Sequence, residues 1–532
     1  MENTVPSRPT PVDLTMHHMA QVHPTIAQTI GVVLHLEGTP PPLKELLGHL
    51  QANLHRLPRL THYLHGPGLK ARWQHDPAPD LHTRVMERVI RPGEETLDAV
   101  LQALVTQPLP THGPLWDVSL ITGYSPGRYA ICCRAHHSTQ DGMGLFHTLQ
   151  TLFGTAPALT AEPEPEPAPE PEPRPEARTY LGAMRDTLAA CAANGIWNDP
   201  THPLMGKRVT SWSHVPTQRL RTAAIPRGGD TNDAFLTALS GALRTWCSEH
   251  WPRGVGKPLP AITMVNLRRP AEHDRPGNLF TFAPAPLPCH ESAVDTRLKH
   301  VVAATRAVKN PSRRAAMRVL MDRTPARIFH SLATRLTTPD RAAISTSYVA
   351  LHRPLAYRDD PVTRIQPFNW LPRNQPASIV ACSYNGTTSV CFITDAAAPG
   401  LHQLPSLFEE AVQELSTQPG GGQTHLPPEQ PTAPGNDEVP TSPTAADGGP
   451  PVAIDFTYIK NILVDQAALP PTPITPEATQ VQAGIDSMAI TVLSMTLEDR
   501  LGLVIAEREL AQRPTVTALV DFVAQRAAPH VR

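Results

Sequence analysis

A chain of 532 residues is long enough for two or three domains, each with its own core. Its 46 basic and 48 acidic side chains nearly cancel, which argues against a protein built on electrostatic attraction to nucleic acid or to an anionic membrane. The seven cysteines form no CxxC pair or metal-ligand spacing, the start MENTVPSRPTP lacks the features of a signal peptide, and no apolar run approaches membrane-spanning length; these point to a cytoplasmic protein with reduced thiols, no metal and no transmembrane segment.

In chain order, residues 1–160 read as a first lobe. Gly31 to Glu37 has the pattern of a strand, and Leu43, Leu46, Leu47 and Leu50 share one face of a helix over about 42–55. A second helix is expected over about 95–105. Trp116, Val118 and Leu120 then alternate with Asp117 and Ser119 in the two-residue period of a strand. The next strand, Tyr129 to Ala135, is apolar apart from Arg134, as a buried central strand would be. It leads into His136-His137-Ser138-Thr139-Gln140-Asp141-Gly142, and Met143, Leu145, Phe146, Leu149 and Leu152 begin a helix behind it. The heptapeptide therefore occupies a loop between a buried strand and a helix start, where a rigid scaffold can present side chains to a substrate.

An imidazole of near-neutral pKa can take a proton from an attacking hydroxyl or amine, and this needs no metal. Taken as residues alone, the pair reads equally as one core and one surface histidine. Gly142 is expected to permit a backbone angle or a close approach that a side chain would obstruct. Asp141 is expected to cap the helix or pair with a buried arginine, a structural role, because an ion-paired carboxylate is a poor base. His147, inside the amphipathic helix, is better explained by packing or solvent exposure.

Residues 161–176, AEPEPEPAPEPEPRPE, alternate proline with glutamate, the composition of an extended crossover linker. A second lobe follows over 177–417. A helix is expected around 180–193, then another from Thr231-Asn232-Asp233, where capping suffices to explain the polar residues, with Phe235, Leu236, Leu239 and Leu243 as its apolar stripe. A strand over 261–265 runs into Asn266-Leu267-Arg268, Gly277-Asn278 marks a turn, and helices are expected over about 291–308 and 312–335. Tyr384-Asn385-Gly386 between apolar runs is a hairpin signal, and a helix over about 401–415 closes the lobe. Residues 418–451 have the glycine, proline and acidic content of a disordered linker.

The heptapeptide matches the HHxxxDG signature of acyltransferases that use coenzyme A or carrier thioesters. With Pro114-Leu115-Trp116, Asn232-Asp233, Asn266-Leu267-Arg268, Gly277-Asn278 and Ser383-Tyr384-Asn385-Gly386 in order around it, residues 10–416 resemble the bacterial wax ester synthase/diacylglycerol acyltransferase family. That family is grouped with chloramphenicol acetyltransferase and the condensation domains of peptide synthetases. The resemblance implies an α/β fold of two similar lobes with a tunnel between them, His137 as general base, His136 shaping the site, and an ion pair of Asp141 with Arg268. The family's Ile-Ser-Asn-Val-Pro-Gly-Pro stretch reads Ile344-Ser345-Thr346-Ser347-Tyr348-Val349-Ala350 here, so the reaction is carried over and the lipid substrate is not.

Residues 452–532 have the size and apolar periodicity of a four-helix, all-α carrier protein, with six basic and nine acidic residues. Asp-Ser before a helix is also an ordinary N-cap. Gly484-Ile485-Asp486-Ser487-Met488 nevertheless resembles the attachment site of acyl and peptidyl carrier proteins, which implies 4'-phosphopantetheine on Ser487, a phosphopantetheinyl transferase and a separate carrier-loading enzyme as partners. The expected function is transfer of an acyl group from a carrier-bound or coenzyme A thioester to a small-molecule or lipid hydroxyl. Condensation onto an amine and an inactive docking scaffold are the alternatives.

Overall fold

The computed structural model describes residues 8–155, 195–417 and 454–527, apart from short stretches inside those ranges. The two linkers, the helix expected around 180–193, Cys191 and Ser487 lie outside the described residues. The chain forms two compact units, Met1–Leu220 with Thr231–Leu415, and Arg221–Asp230 with Ser416–Arg532.

The larger unit begins with α1 (Pro11–Val22), β1 (Thr29–Glu37), α2 (Leu43–Asn53), the hairpin β2 (His62–His65) and β3 (Arg72–His75), β4 (Val85–Val89), α3 (Leu97–Thr106), β5 (Trp116–Thr122), β6 (Arg128–His136) and α4 (Gly142–Phe153). It continues with β7 (Arg208–Pro216), the helix Thr217–Ala224 as far as Leu220, the helix Thr231–His250, β8 (Ala261–Asn266), β9 (Phe280–Pro284) and helices Val294–Lys309, Pro311–Arg323 and Ala326–Leu336. The last elements are β10 (Ile344–Ala350), β11 (Ala356–Tyr357), β12 (Asp360–Phe368), β13 (Ala377–Tyr384), β14 (Thr387–Asp395) and helix Leu404–Thr417. They build two mixed six-stranded sheets, ordered β11-β12-β1-β6-β5-β4 and β7-β14-β13-β10-β8-β9, so the chain is of the expected α/β class.

Side-chain alternation explains how the first sheet is covered on both faces. Val32, Leu34 and Leu36 of β1 and Ile131 and Cys133 of β6 share a core with Leu46 and Leu50 of α2 and Leu145 and Leu149 of α4. The intervening Val33, Ala130 and Cys132 pack with Val100, Leu101 and Leu104 of α3. β6 is thus central, and its one charged interior residue, Arg134, is compensated: Nε and Nη2 donate to Asp117 at 2.8 and 2.5 Å, with both side chains essentially unexposed.

Two local readings are corrected. The stretch 312–335 forms two helices, because Pro325 has no N–H to donate and disfavours a helical residue before it; Thr324 accordingly sits at φ −75°, ψ 120°. Asp233 is not accounted for by capping: it lies inside its helix, is buried, and accepts from Thr305 Oγ1 (2.7 Å) and Lys309 Nζ (2.6 Å) of the helix Val294–Lys309. The expected hairpin is present, with Asn385 at φ 45° and Gly386 at φ 75°, the pair of left-handed residues that a tight two-residue turn requires.

The smaller unit is helical. Helix Phe456–Asn461 runs into a wider turn over Ile462–Gln466, residues 489–490, 493–494 and 497 are helical, and helices Glu507–Ala511 and Val516–Ala527 complete it. Ile459, Leu463, Ile490, Leu493, Leu519 and Val523 lie in its core.

Candidate active site

β6 carries the chain to His136, whose N–H donates to Leu115 O (2.9 Å), while His137 N–H donates to Gln28 O (2.9 Å). Both backbones are therefore held by segments flanking the central strand. His136 Nδ1 accepts from the Ser138 backbone N–H (3.1 Å) and lies 2.8 Å from the Ser138 hydroxyl, so its proton belongs on Nε2. Burial, and then the neighbouring His137 and His17, push the His136 imidazole down to about 3, and it is neutral at physiological pH.

His137 is 8% exposed, and its ring lies 5.5 Å from that of Phe280. Burial lowers its imidazole below the ordinary 6.5; its own carbonyl, the Asp141 charge and Asn278 pull the other way. Its Nδ1 is buried with no well-formed hydrogen bond. A neutral imidazole is the state a general base requires, and with Nδ1 buried a substrate proton would have to be taken at Nε2.

Asp141 has a different occupation. As N-cap of α4 it accepts from Gly144 N–H (2.8 Å), and it accepts from Leu279 N–H (2.9 Å). Arg268 meets it with two parallel bonds, Nη1 to Oδ2 and Nη2 to Oδ1, both 2.9 Å, and the arginine side chain is only 1% exposed. The remaining donors of Arg268 are satisfied by Arg275 O (2.9 Å) and Gly277 O (2.7 Å). The structure thus brings Arg268 to Asp141 across the two halves of the unit, and the carboxylate holds α4 to the 277–279 turn.

Gly142 does not carry the steric role expected of it. Its φ is not in the left-handed region, and an added Cβ would meet only Val349 Cγ2, at an ordinary 3.7 Å. The tight position is Gly144, where a Cβ would fall 3.1 Å from the backbone of Gly277. His147 lies on α4, partly buried.

Sequence reading missed Asp13. It lies on α1, 1% exposed, and its Oδ1 accepts from Asn278 Nδ2 (2.8 Å), which also donates to His137 O (2.7 Å). Thr10-Pro11-Val12-Asp13 carries a capping-box signal that marks the helix start, with both reciprocal bonds formed, but nothing local marks the link to Asn278. Among the described residues one group, His290, Glu291 and His300, brings metal-ligating atoms within 4.8 Å of one another; its members are exposed or half-exposed and already ion-paired.

Comparison with known proteins matches residues 14–194 to the wax ester synthase/diacylglycerol acyltransferase catalytic domain and residues 276–416 to the C-terminal domain of that family. Residues 457–523 match the phosphopantetheine attachment site. A Mycobacterium tuberculosis protein provisionally named as a diacylglycerol O-acyltransferase is 28% identical over 282 residues, covering 45% of this chain and 55% of that protein. A second from the same organism, named likewise, is 27% identical over 318 residues, covering 51% and 63%. The chain spans about half the length of the curated relatives it matches.

Among solved structures, the wax ester synthase/diacylglycerol acyltransferase from Marinobacter aquaeolei VT8 superposes with a TM-score of 0.54 at 18% identity, covering 76% of this chain and 98% of that one. The first condensation domain of the calcium-dependent antibiotic synthetase gives 0.54 at 16% identity, covering 79% and 98%. At such identities the likeness is one of fold.

Proposed function

The chain carries the catalytic and C-terminal domains of the wax ester synthase/diacylglycerol acyltransferase family joined to a phosphopantetheine-attachment domain, and from that premise we propose an O-acyltransferase in which His137 is the general base. The observation that carries this reading is the division of labour in the motif: burial keeps the His137 imidazole in its neutral, basic form beside Phe280, while His136 and Asp141 are engaged in holding the loop.

In this reaction His137 takes the proton of an acceptor hydroxyl as its oxygen attacks the thioester carbonyl. The tetrahedral intermediate collapses with loss of the thiolate, and the imidazolium returns its proton to that sulfur. The base is restored, an ester bond replaces the thioester bond, and one thiol is released. The N–H groups of Gly142 and Met143, which open α4 ahead of any intrahelical acceptor, are the donors available to the oxyanion. Proton transfer by a placed base contributes about 10²–10⁴-fold in such steps.

The flanks of Ser487 suit carrier attachment. Ile485 is buried and its N–H donates to Gln480 O (2.8 Å), closing a turn with Gly484 at φ 71°, while Ala489 and Ile490 are helical and buried. Ser487 would hold the phosphopantetheine, which when bound supplies the thiol that carries an acyl group. We assign the fused carrier as the source of the thioester; a short flexible tether would raise the donor to about millimolar effective concentration.

The test loads the protein with coenzyme A and a phosphopantetheinyl transferase, adds acyl donors with alcohols or amines, and reads products and intact mass. Ester formation is expected in the wild type and loss of it in His137→Ala, with the mass gain unchanged there and absent in Ser487→Ala. Wild-type turnover in His137→Ala would leave a docking scaffold or another base as the better reading, and amide as the sole product would replace the hydroxyl acceptor with an amine.

A further inference from the structure

We propose that Asp13 is a positioning residue for His137, acting through the side-chain amide of Asn278. The inference rests on His137 being the base. Its geometry is independent of the substrate. Asn278 is 2% exposed, and its amide nitrogen donates to Asp13 Oδ1 at 2.8 Å and to His137 O at 2.7 Å, the latter a carbonyl with no hydrogen to give. The amide must therefore turn its nitrogen toward them, one N–H for each. That choice fixes where Asn278 Oδ1 stands, buried and with no partner of its own among the described residues.

The consequence falls on the base in two ways. The His137 carbonyl is clamped at the point where strand β6 gives way to the catalytic loop, so the ring inherits a fixed origin. The Asn278 side chain also favours the protonated ring, opposing the effect of burial, so it stabilises the imidazolium that exists only during turnover. Without Asp13 the amide would have a single acceptor to satisfy and could rotate, weakening both effects.

The surroundings act on the Asp13 carboxyl in opposite directions. Burial drives the Asp13 pKa up, and the strongest opposing influence is the Arg59 guanidinium, itself 3% exposed and stacked 4.7 Å from the centre of the Trp73 ring. Gly277, at φ 103°, allows Arg59 to approach: a Cβ there would stand 2.5 Å from Arg59 Nη2. Asp141 is the charge that acts on His137, with neutral His136 beside it, and Asp13, Asp141, Arg268 and Arg275 form the charged surroundings of Arg59.

A rival explanation is that Asp13 merely starts α1. Its other oxygen, Oδ2, accepts from Thr10 N–H (2.8 Å) and Thr10 Oγ1 accepts from Asp13 N–H (3.1 Å). The two roles use separate bonds and can be separated by mutation. Thr10→Ala weakens the cap and spares the Asn278 bond; Asn278→Ala breaks the bridge and spares the cap; Asp13→Ala removes both.

The experiment uses the full-length, phosphopantetheinylated protein and two readouts. One is turnover of hexadecanoyl-coenzyme A with 1-hexadecanol as a function of pH. The other is the titration of the His137 ring by NMR in 13C-histidine-labelled protein, assigned with His137→Ala, which needs no turnover. Asn278→Ala and Asp13→Ala should each lower kcat by about 10²-fold with KM for the thioester little changed, and move the His137 titration to lower pH. Thr10→Ala should lower only the melting temperature. An unmoved His137 titration in Asn278→Ala, or a Thr10→Ala variant as impaired as Asp13→Ala, overturns the proposal. Failure of the general-base reading would show instead as normal turnover in His137→Ala, and the NMR arm would still decide whether Asp13 and Asn278 hold the ring.

Discussion

Burial, more than any single charge, sets the protonation state of both signature histidines. Because it lowers the His137 imidazole below 6.5, the basic form persists as the solution is acidified past that value. The acidic limb of kcat/KM against pH should accordingly have its midpoint below 6.5; a midpoint at or above 6.5 would be incompatible with a buried neutral base. Arg268 and Asp141 form the other decisive pair. Removing one partner leaves the opposite charge buried and alone, so Arg268→Ala should destabilise the larger unit by about 3–5 kcal/mol in chemical denaturation. Arg268→Lys should recover only part of this, since an ammonium cannot reproduce the two parallel bonds. The pairing of Asp141 with Arg268 could be anticipated only through the resemblance. Nothing in Asn266-Leu267-Arg268 indicates locally which carboxylate, 127 positions away, it will meet.

At the scale of elements, the parts that were legible are those whose environment is local. Both strands are buried throughout, and their patterns differ in what fills the second face: Trp116, Val118 and Leu120 of β5 enter the core with α2 and α4 while Asp117 on the opposite face meets Arg134, whereas β6 sends apolar residues to both faces. The Asn385-Gly386 turn is legible because few other residues tolerate its backbone angles. Gly386→Val should therefore cost about 1–2 kcal/mol, read as a lower melting temperature, whereas a glycine at Asn385 should be tolerated. The turn is anchored from below: the Tyr384 hydroxyl accepts from Leu355 N–H at 2.8 Å, and Ser383 Oγ lies 2.6 Å from both Tyr348 Oη and Thr388 Oγ1. The sequence Ser383-Tyr384-Asn385-Gly386 thus joins the β13–β14 hairpin to the start of the 355–368 segment. Harder to read was the helix break at Pro325, since helix-favouring residues on both sides mask one imino acid.

At the scale of the whole molecule, the boundary between lobes is the least local feature. Strand β12 follows most of the second lobe in sequence, yet pairs antiparallel with β1 in the first sheet, Gly31 against Phe368 and Leu34 against Ile365. Its sequence, DPVTRIQPF, holds two prolines and no clean alternation, and no short pattern could say which sheet it joins. Residues 1–160 expressed alone should consequently present β1 as an unpaired edge and aggregate, while co-expression with 177–417 should restore a soluble complex; a monomeric, cooperatively melting 1–160 fragment would contradict this.

The same strand bears on synthesis. When β6 has emerged from the ribosome it can pair with β1 on one side, but the other side of β1 must wait for more than two hundred further residues before β12 arrives. At about 5–20 residues per second that interval is roughly 10–50 s, long enough for a nascent chain to seek another strand. The protein therefore completes the sheet that carries its paired-histidine loop late in translation, and its yield in a cell should depend on whatever shields that open edge meanwhile.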